Sequence, residues 1–368
     1  DEGLWWLHKN QNKSNGAWSG SVAASTASAL QSFEINGHRV DGPCEEDPYV
    51  ETVDKGFRYL FTTLRVNVVG TSFAPSAAAN AQAASAAVTM PTSYSLGQEY
   101  ARTGVWPSSP APSAGLLNGS DNQTMIRDLT GLAASNGIAI DVSCSAPPYE
   151  LGMVMDAVAA SHARTFIAAT GGDNVKGRSF YDLLQDMVDM YAWGQEQPGG
   201  YARGGWRYSW RGGADNSVSQ WGAIGMLAAE DNFGIPCPDF VKTENKMWLN
   251  TSRNGATFGY DGPGHPWGTT VNTTPSAMVQ LAMDDVSTTN AVWAQTEDFI
   301  AANWTTSGWY GDLNGRNYYG RYALTKALRL AYPSAVTILR NGFHWYDDEA
   351  CGIRRVITDQ QYADGSWY

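Results

Sequence analysis

A glycine- and tryptophan-rich turn that recurs between helical stretches most narrows what this chain can fold into. Its fullest form lies in residues 204–230, GGWRYSWRGGADNSVSQWGAIGMLAAE. The turn Gly204-Gly205-Trp206-Arg207-Tyr208-Ser209-Trp210 leads to Asp215-Asn216-Ser217, which supplies N-cap chemistry for an apolar helix through Met226 and Leu227. Before the turn, Leu183, Leu184, Met187, Val188, Met190 and Tyr191 fall at the spacing of an amphipathic helix. The unit is helix, turn, helix. Such a hairpin buries its apolar face only against neighbours, so an array of them closes on itself. The expected fold class is all-α, an (α/α)6 toroid of helical hairpins in a single domain over residues 1–368.

The unit repeats along the chain. Gln11 to Trp18 joins a short first helix to a small-residue helix over 22–33, which Asn36-Gly37 ends. A second outer helix is expected over 49–65, and another helix starts after Pro148-Tyr149-Glu150. Asn254-Gly255-Ala256-Thr257-Phe258 precedes a helix that opens with Pro275 at a first-turn position, and Gly308-Trp309-Tyr310 precedes one that starts at Asn317-Tyr318-Tyr319. The sixth outer helix is expected over 347–360, with Asp347, Asp348 and Glu349 suited to its N-terminal dipole. This count gives six outer helices and five inner ones, because the sequence stops at the last turn, Gly365-Ser366-Trp367. Residues 66–143 break the pattern; they are rich in Ala, Ser and Pro and read as an insertion, with short helices expected near 78–87 and 124–134.

The terminal Gln361, Gly365 and Trp367 match the QW repeat of squalene-hopene and oxidosqualene cyclases, and looser forms occur at Gln11–Trp18, Gly205-Trp206, Gly255–Phe258 and Gly308-Trp309. With the alternating helices, the chain resembles the squalene-cyclase/prenyltransferase-like α/α toroid superfamily everywhere except about 66–143. That resemblance implies the fold but does not select an activity. The catalytic signatures that it brings to mind are missing. A class II cyclase needs Asp-x-Asp-Asp, and the nearest stretch, Ala282-Met283-Asp284-Asp285, lacks the first aspartate. Asp347, Asp348 and Cys351 do not match the zinc set of protein prenyltransferases, and the Cys-Gly-Glu-Gln thioester sequence is absent.

Composition excludes further classes. A net charge of −12 disfavours nucleic acid or an anionic membrane as a partner, because a phosphate binder needs a basic face, and no apolar run approaches a membrane span. A start at Asp1 without Met reads as a processed form. Six sequons, at Asn12, Asn118, Asn122, Asn250, Asn272 and Asn303, point to a secreted glycoprotein. In that setting Cys44, Cys144, Cys237 and Cys351 are candidates for two disulfides of undetermined pairing; buried free thiols are the alternative. No cofactor or metal is expected. Asp41, Glu45, Glu46 and Asp47 offer oxygen donors for calcium, but without EF-hand spacing a solvated loop is the better reading.

The candidate binding residues, Trp206, Tyr208, Trp210, His265, Tyr318 and Tyr319, all fall where inner helices begin, at one mouth of the expected ring. They would stack on a sugar or line an apolar cavity, or else serve only to pack the turns. Asp215, with Asp284 or Asp312, is the candidate carboxylate pair for glycan chemistry. The leading expectation is a secreted, non-catalytic binding or self-assembling module, filament-forming if a segment of one copy completes the missing inner helix of the next. An enzyme acting on a glycan or isoprenoid in the cavity is the alternative, and a carrier of an apolar ligand is a third.

Overall fold

The computed structural model describes residues 2–20, 22–70, 72–73, 94–95, 136–196, 202–264, 271–306 and 312–367. Among the described residues there are eleven α-helices and a few short strands, so the chain is predominantly helical. The helices are α1 (Glu2–Asn10), α2 (Val22–Glu34), α3 (Val50–Thr62), α4 (Pro147–Ala160), α5 (Phe180–Gly194), α6 (Asn216–Ala228), α7 (Asp239–Ser252), α8 (Thr273–Met283), α9 (Ala291–Ala302), α10 (Tyr318–Arg329) and α11 (Ile353–Asp359). A single π-helical turn, Ala229–Phe233, extends α6 and ends at Gly234 in the left-handed region.

Two kinds of helix follow from the apolar patterns. In α3, Val50, Val53, Phe57, Leu60 and Phe61 form a buried face while Glu51, Asp54 and Arg58 stay towards solvent. In α8 every residue is buried, which is why it shows no apolar stripe. The even-numbered helices pack in succession, α2 on α4, α4 on α6, α6 on α8 and α8 on α10. The odd-numbered helices α1 and α3 lie on α2, α5 on α4, and α7 and α9 on α8. The last of the even series reaches back to the first two. Tyr322 of α10 sets its hydroxyl 3.0 Å from Asp156 Oδ2 and 3.3 Å from Gln31 Oε1, and Lys326 Nζ stands 2.7 Å from the same Asp156 oxygen.

The recurring turn has one geometry in three places. Gln11 Nε2 donates to Gly16 O and Thr52 O, Gln195 Nε2 to Gly204 O and Val241 O, and Gln361 Nε2 to Gly365 O. The indole N–H of Trp18 reaches Leu7 O at 2.8 Å, that of Trp206 reaches Tyr191 O at 3.0 Å, and that of Trp367 reaches Ile357 O at 2.9 Å. Gly16, Gly204 and Gly365 have φ of 85°, 90° and 90°. A Cβ on any of them would collide with a carbonyl of the next odd-numbered helix, Lys55 in α3, Glu244 in α7 and Glu2 in α1 respectively. The turn after α11 is thus seated on α1 as the turn after α1 is seated on α3.

The structure corrects several expectations. The ends of the 66–143 insertion are strands, β1 (Leu64–Gly70) and β4 (Asn136–Val142), paired antiparallel from Leu64↔Val142 to Gly70↔Asn136. The alternating Val66, Val68, Ile138, Ile140 and Val142 carry that β signal. Short pairs β2 (Ser72–Phe73) with β3 (Tyr94–Ser95) and β5 (Arg253–Asn254) with β6 (Thr257–Phe258) complete the strands. The helices expected near 78–87 and 124–134 lie outside the described residues. α11 starts only at Ile353, because Asp348 Oδ1 accepts from the Ala350 and Cys351 amides and builds a turn instead of a helix start. The four cysteines are free thiols, Cys237 buried and Cys44 exposed, so the expected disulfides are not formed. No helix among the described residues is long and apolar enough to cross a membrane.

Candidate functional site

The first turns of four even-numbered helices converge on a cavity of about 510 Å³. α4 contributes Tyr149 and Glu150, α6 contributes Ser217, α8 contributes Thr273 with its cap residue Asn272, and α10 contributes Tyr319. Tyr208 from the tryptophan turn and Tyr260 from the loop after β6 close over them. The N-terminal ends of these helices, and so the positive ends of their dipoles, border this space.

Each ring is held by the local fold. Tyr260 is fixed because the amide of Asn216, at the start of α6, donates to its carbonyl at 2.8 Å, and Asn216 Nδ2 donates to Gly259 O at 2.7 Å. Tyr208 and Tyr260 meet hydroxyl to hydroxyl at 2.8 Å, and Arg207 lies 5.8 Å from the Tyr260 ring centroid. Tyr319 is fixed by a 2.7 Å bond between its hydroxyl and Ser276 Oγ, and Tyr149 packs edge-on to Trp221 at 5.7 Å. Tyr208 remains 43% exposed.

Asp215 stands behind this wall. Its Oδ1 accepts from Val218 N at 2.9 Å and Ser217 Oγ at 2.6 Å, capping α6, and Arg207 Nε lies 3.6 Å from Oδ2. Burial raises its pKa, against the pull of the Ser217 and Val218 bonds and of Arg207. Glu150 Oε2 accepts from Ala24 N at 3.3 Å and so serves the start of α2. Burial pushes the Tyr149 and Tyr319 phenols up, so both are neutral hydrogen-bonding groups at ordinary pH.

Of the residues singled out from sequence, Tyr208 and Tyr319 line the cavity and Asp215 adjoins it. Trp206 is 1% exposed and its indole N–H is spent on Tyr191 O, so it packs the turn and is not a ligand contact. Trp210 presses on Gly194 and donates to Asp141 Oδ2 of β4 at 2.9 Å, tying the hairpin to α5. Tyr318 lies against the Arg321 guanidinium at 4.7 Å, away from the cavity lining. His265 lies outside the described residues. Asp284 follows α8, whose first turn borders the cavity; 11 residues at about 1.5 Å each put it roughly 16 Å away, beyond the reach of a catalytic carboxylate pair with Asp215. Asp312 sits near Gly315 in the turn before α10.

Tyr149, Glu150, Ser217, Tyr260, Asn272 and Thr273 were not singled out by sequence as ligand contacts. Their signal was position: each lies at, or in the loop beside, the start of an even-numbered helix, as Tyr319 does. Asn272 also corrects the glycosylation reading. It is 1% exposed and accepts from Asn317 Nδ2 at 2.7 Å, which leaves no room for a glycan. Asn12 and Asn250 are exposed, Asn303 is partly buried, and Asn118 and Asn122 lie outside the described residues. In the acidic loop, Asp47 is engaged by His38 at 2.9 Å and by the Tyr49 amide, and no group of three or more metal-ligating side chains is found among the described residues. No protein-family model and no characterised protein matches this chain.

Proposed function

We propose that the chain is an extracellular binding module of α/α toroid form, and that the tyrosine-walled cavity at the starts of its inner helices takes a short glycan. The observation that carries this reading is the lining itself: four tyrosines, Tyr149, Tyr208, Tyr260 and Tyr319, around about 510 Å³ with Glu150, Ser217, Asn272 and Thr273 between them. Aromatic faces cover the C–H faces of a sugar ring, while hydroxyl, amide and carboxylate groups match its hydroxyls. An isoprenoid would set an apolar chain against these polar groups, a poorer match than the hydroxyls of a sugar. The return of α10 to α2 and α4 through Tyr322 and Lys326, with the seating of the last turn on α1, supports ring closure. Exposed Asn12 and Asn250 in sequons support secretion.

The test is titration of the purified chain against a panel of neutral and acidic oligosaccharides, read by calorimetry and tyrosine fluorescence. Tyr208→Ala should weaken the best ligand by about tenfold, the worth of one lost stacking face, with unchanged thermal stability. Absence of saturable binding across the panel, or equal affinity in the variant, would reject the site.

A second reading rests on one observation, the raised pKa of Asp215 beside the cavity, the property of a general acid. It predicts that incubation with the bound glycan releases new reducing ends or unsaturated products, and that Asp215→Asn stops this release. A bound glycan recovered intact supports a purely binding role.

A further inference from the structure

The wall that carries Tyr208 and Tyr260 hangs from two consecutive amides at the start of α6. Asp215 N donates to Trp206 O at 3.0 Å, just before Arg207-Tyr208, and Asn216 N donates to Tyr260 O at 2.8 Å, just before Asp261. The two halves of the wall are each shared between two spaces. Tyr208 and Tyr260 line the tyrosine-walled cavity, while their chain neighbours Arg207 and Asp261 line a second cavity of about 460 Å³. Successive Cα atoms are about 3.8 Å apart, so the ridge between the two spaces is no more than about one residue thick at this point. It is tied on both faces. The Tyr208 and Tyr260 hydroxyls meet at 2.8 Å on one, and Arg207 Nη2 lies 3.5 Å from Asp261 Oδ2 on the other. Its side chains also reach solvent, Tyr208 as an exposed residue and Arg207 and Asp261 in part.

The second cavity has its own chemistry. Among the described residues its lining holds no aromatic ring, and Arg207 and Asp261 are its charged side chains. A guanidinium carries five N–H donors. Among the described residues the one hydrogen bond that Arg207 makes is the long contact with Asp261, and Asp215 Oδ2 stands 3.6 Å from its Nε. A charge-assisted bond at full strength is about 2.7–2.9 Å long. Arg207 thus keeps unspent donors at the cavity lining, beside a carboxylate that accepts. A donor and an acceptor side by side match neighbouring hydroxyls of a sugar ring. An acidic sugar fits less well, because Glu150 and Asp261 in the two linings, with Asp215 behind the ridge, face it with three carboxylates against one guanidinium. The net charge of −12 adds a long-range repulsion of polyanions.

We propose that the second cavity is a further glycan subsite, so that a neutral, linear oligosaccharide crosses the ridge with one end among the four tyrosines and the other against Arg207 and Asp261. This inference rests on the glycan reading of the first cavity and extends it from a sugar held at one point to a chain held at two. A ridge fixed by backbone bonds suits that task, because little has to be ordered when the ligand arrives.

The test is calorimetry of the full chain with neutral oligosaccharides of one linkage and increasing length. Affinity should rise with length until the ridge is spanned and then level off. Ala202→Trp fills the second cavity and leaves Arg207 in place. It should bring the longest ligand down to the affinity of the short ones, and leave the short ones within about twofold of the parent. Arg207→Gln should weaken the longest ligand by about tenfold, the worth of one or two bonds to a charged group. Asp261→Asn, which keeps the size of the side chain, should weaken it less and in the same direction. Thermal melting of each variant establishes that it is folded. An affinity that does not change with length, or a longest ligand that binds Ala202→Trp as tightly as the parent, overturns the second subsite and leaves the first standing. Absence of saturable binding at every length overturns the glycan reading and this inference together. Acidic oligosaccharides that bind more tightly than neutral ones of the same length overturn the assignment to a neutral chain.

Discussion

Trp206 and Trp367 occupy the same turn and differ in how far it is covered among the described residues. Both are preceded by a glutamine that holds a glycine carbonyl, and both donate an indole N–H to the end of the preceding odd-numbered helix. Yet Trp206 is 1% exposed and Trp367 is 40% exposed. The covering comes from α6, which buries all but two of its residues between α4 and α8. The turn is therefore built by the odd-numbered helices, while the even-numbered helix removes its tryptophan from water. The local bonds specify the shape; the packing supplies most of the stability.

Truncation separates these two contributions most sharply. Trp206→Ala deletes a fully buried indole that also contacts Tyr191 edge-on at 5.6 Å and should cost about 3–5 kcal/mol in chemical denaturation. A loss below about 1 kcal/mol would mean that the turn bonds, not the covering helix, carry the stability.

Two of the even-numbered helices, α6 and α2, also end differently. After α6, Glu230 has Lys242 Nζ at 3.5 Å and accepts from the Cys237 amide. At the end of α2, Glu34 is buried, and burial pushes its carboxyl up to about 8, against a weaker pull from the Val40 amide. Its folded pKa lies above the unfolded value, so its contribution to stability is full below the unfolded pKa near 4.5 and is lost as pH rises through about 8. Glu34→Gln removes that loss. The variant should be as stable as the parent near pH 4 and more stable by about 2–4 kcal/mol at pH 9. Asp189 and Asp284, also raised by burial, keep some slope in both proteins, so the difference between the curves is the readout. Superimposable curves would place Glu34 in contact with water.

How much of this was legible in the sequence follows from the range of each interaction. The alternating helices and the Gly/Trp turns were legible because their signals are local: apolar spacing, an N-cap at Asp215, a positive-φ glycine. The β1–β4 hairpin was missed because its two strands are separated by more than sixty residues of Ala/Ser-rich chain, which masked the alternation at its ends. Gln195 was missed as a partner of Trp206 because a longer loop separates the two than in the Gln11 and Gln361 turns. In the cavity, Tyr208 and Tyr319 stood in conspicuous aromatic turns, whereas Tyr149 and Tyr260 are single tyrosines that only the convergence of four helix starts makes neighbours. The carboxylates were hardest to place. Asp215 carries its N-cap signal, but nothing local to Asp284 says that it follows α8, at the end away from the cavity.

The smallest expected effect is at Trp367. Its ring is 40% exposed and touches Gly3 of α1. Trp367→Ala should therefore cost roughly 1 kcal/mol or less, mostly the contact with α1. Chemical denaturation of the parent and of this variant, set beside Trp206→Ala, isolates what covering an indole with an even-numbered helix adds. A Trp367→Ala penalty as large as that of Trp206→Ala would mean that the local bonds of the turn, not the covering helix, carry the stability.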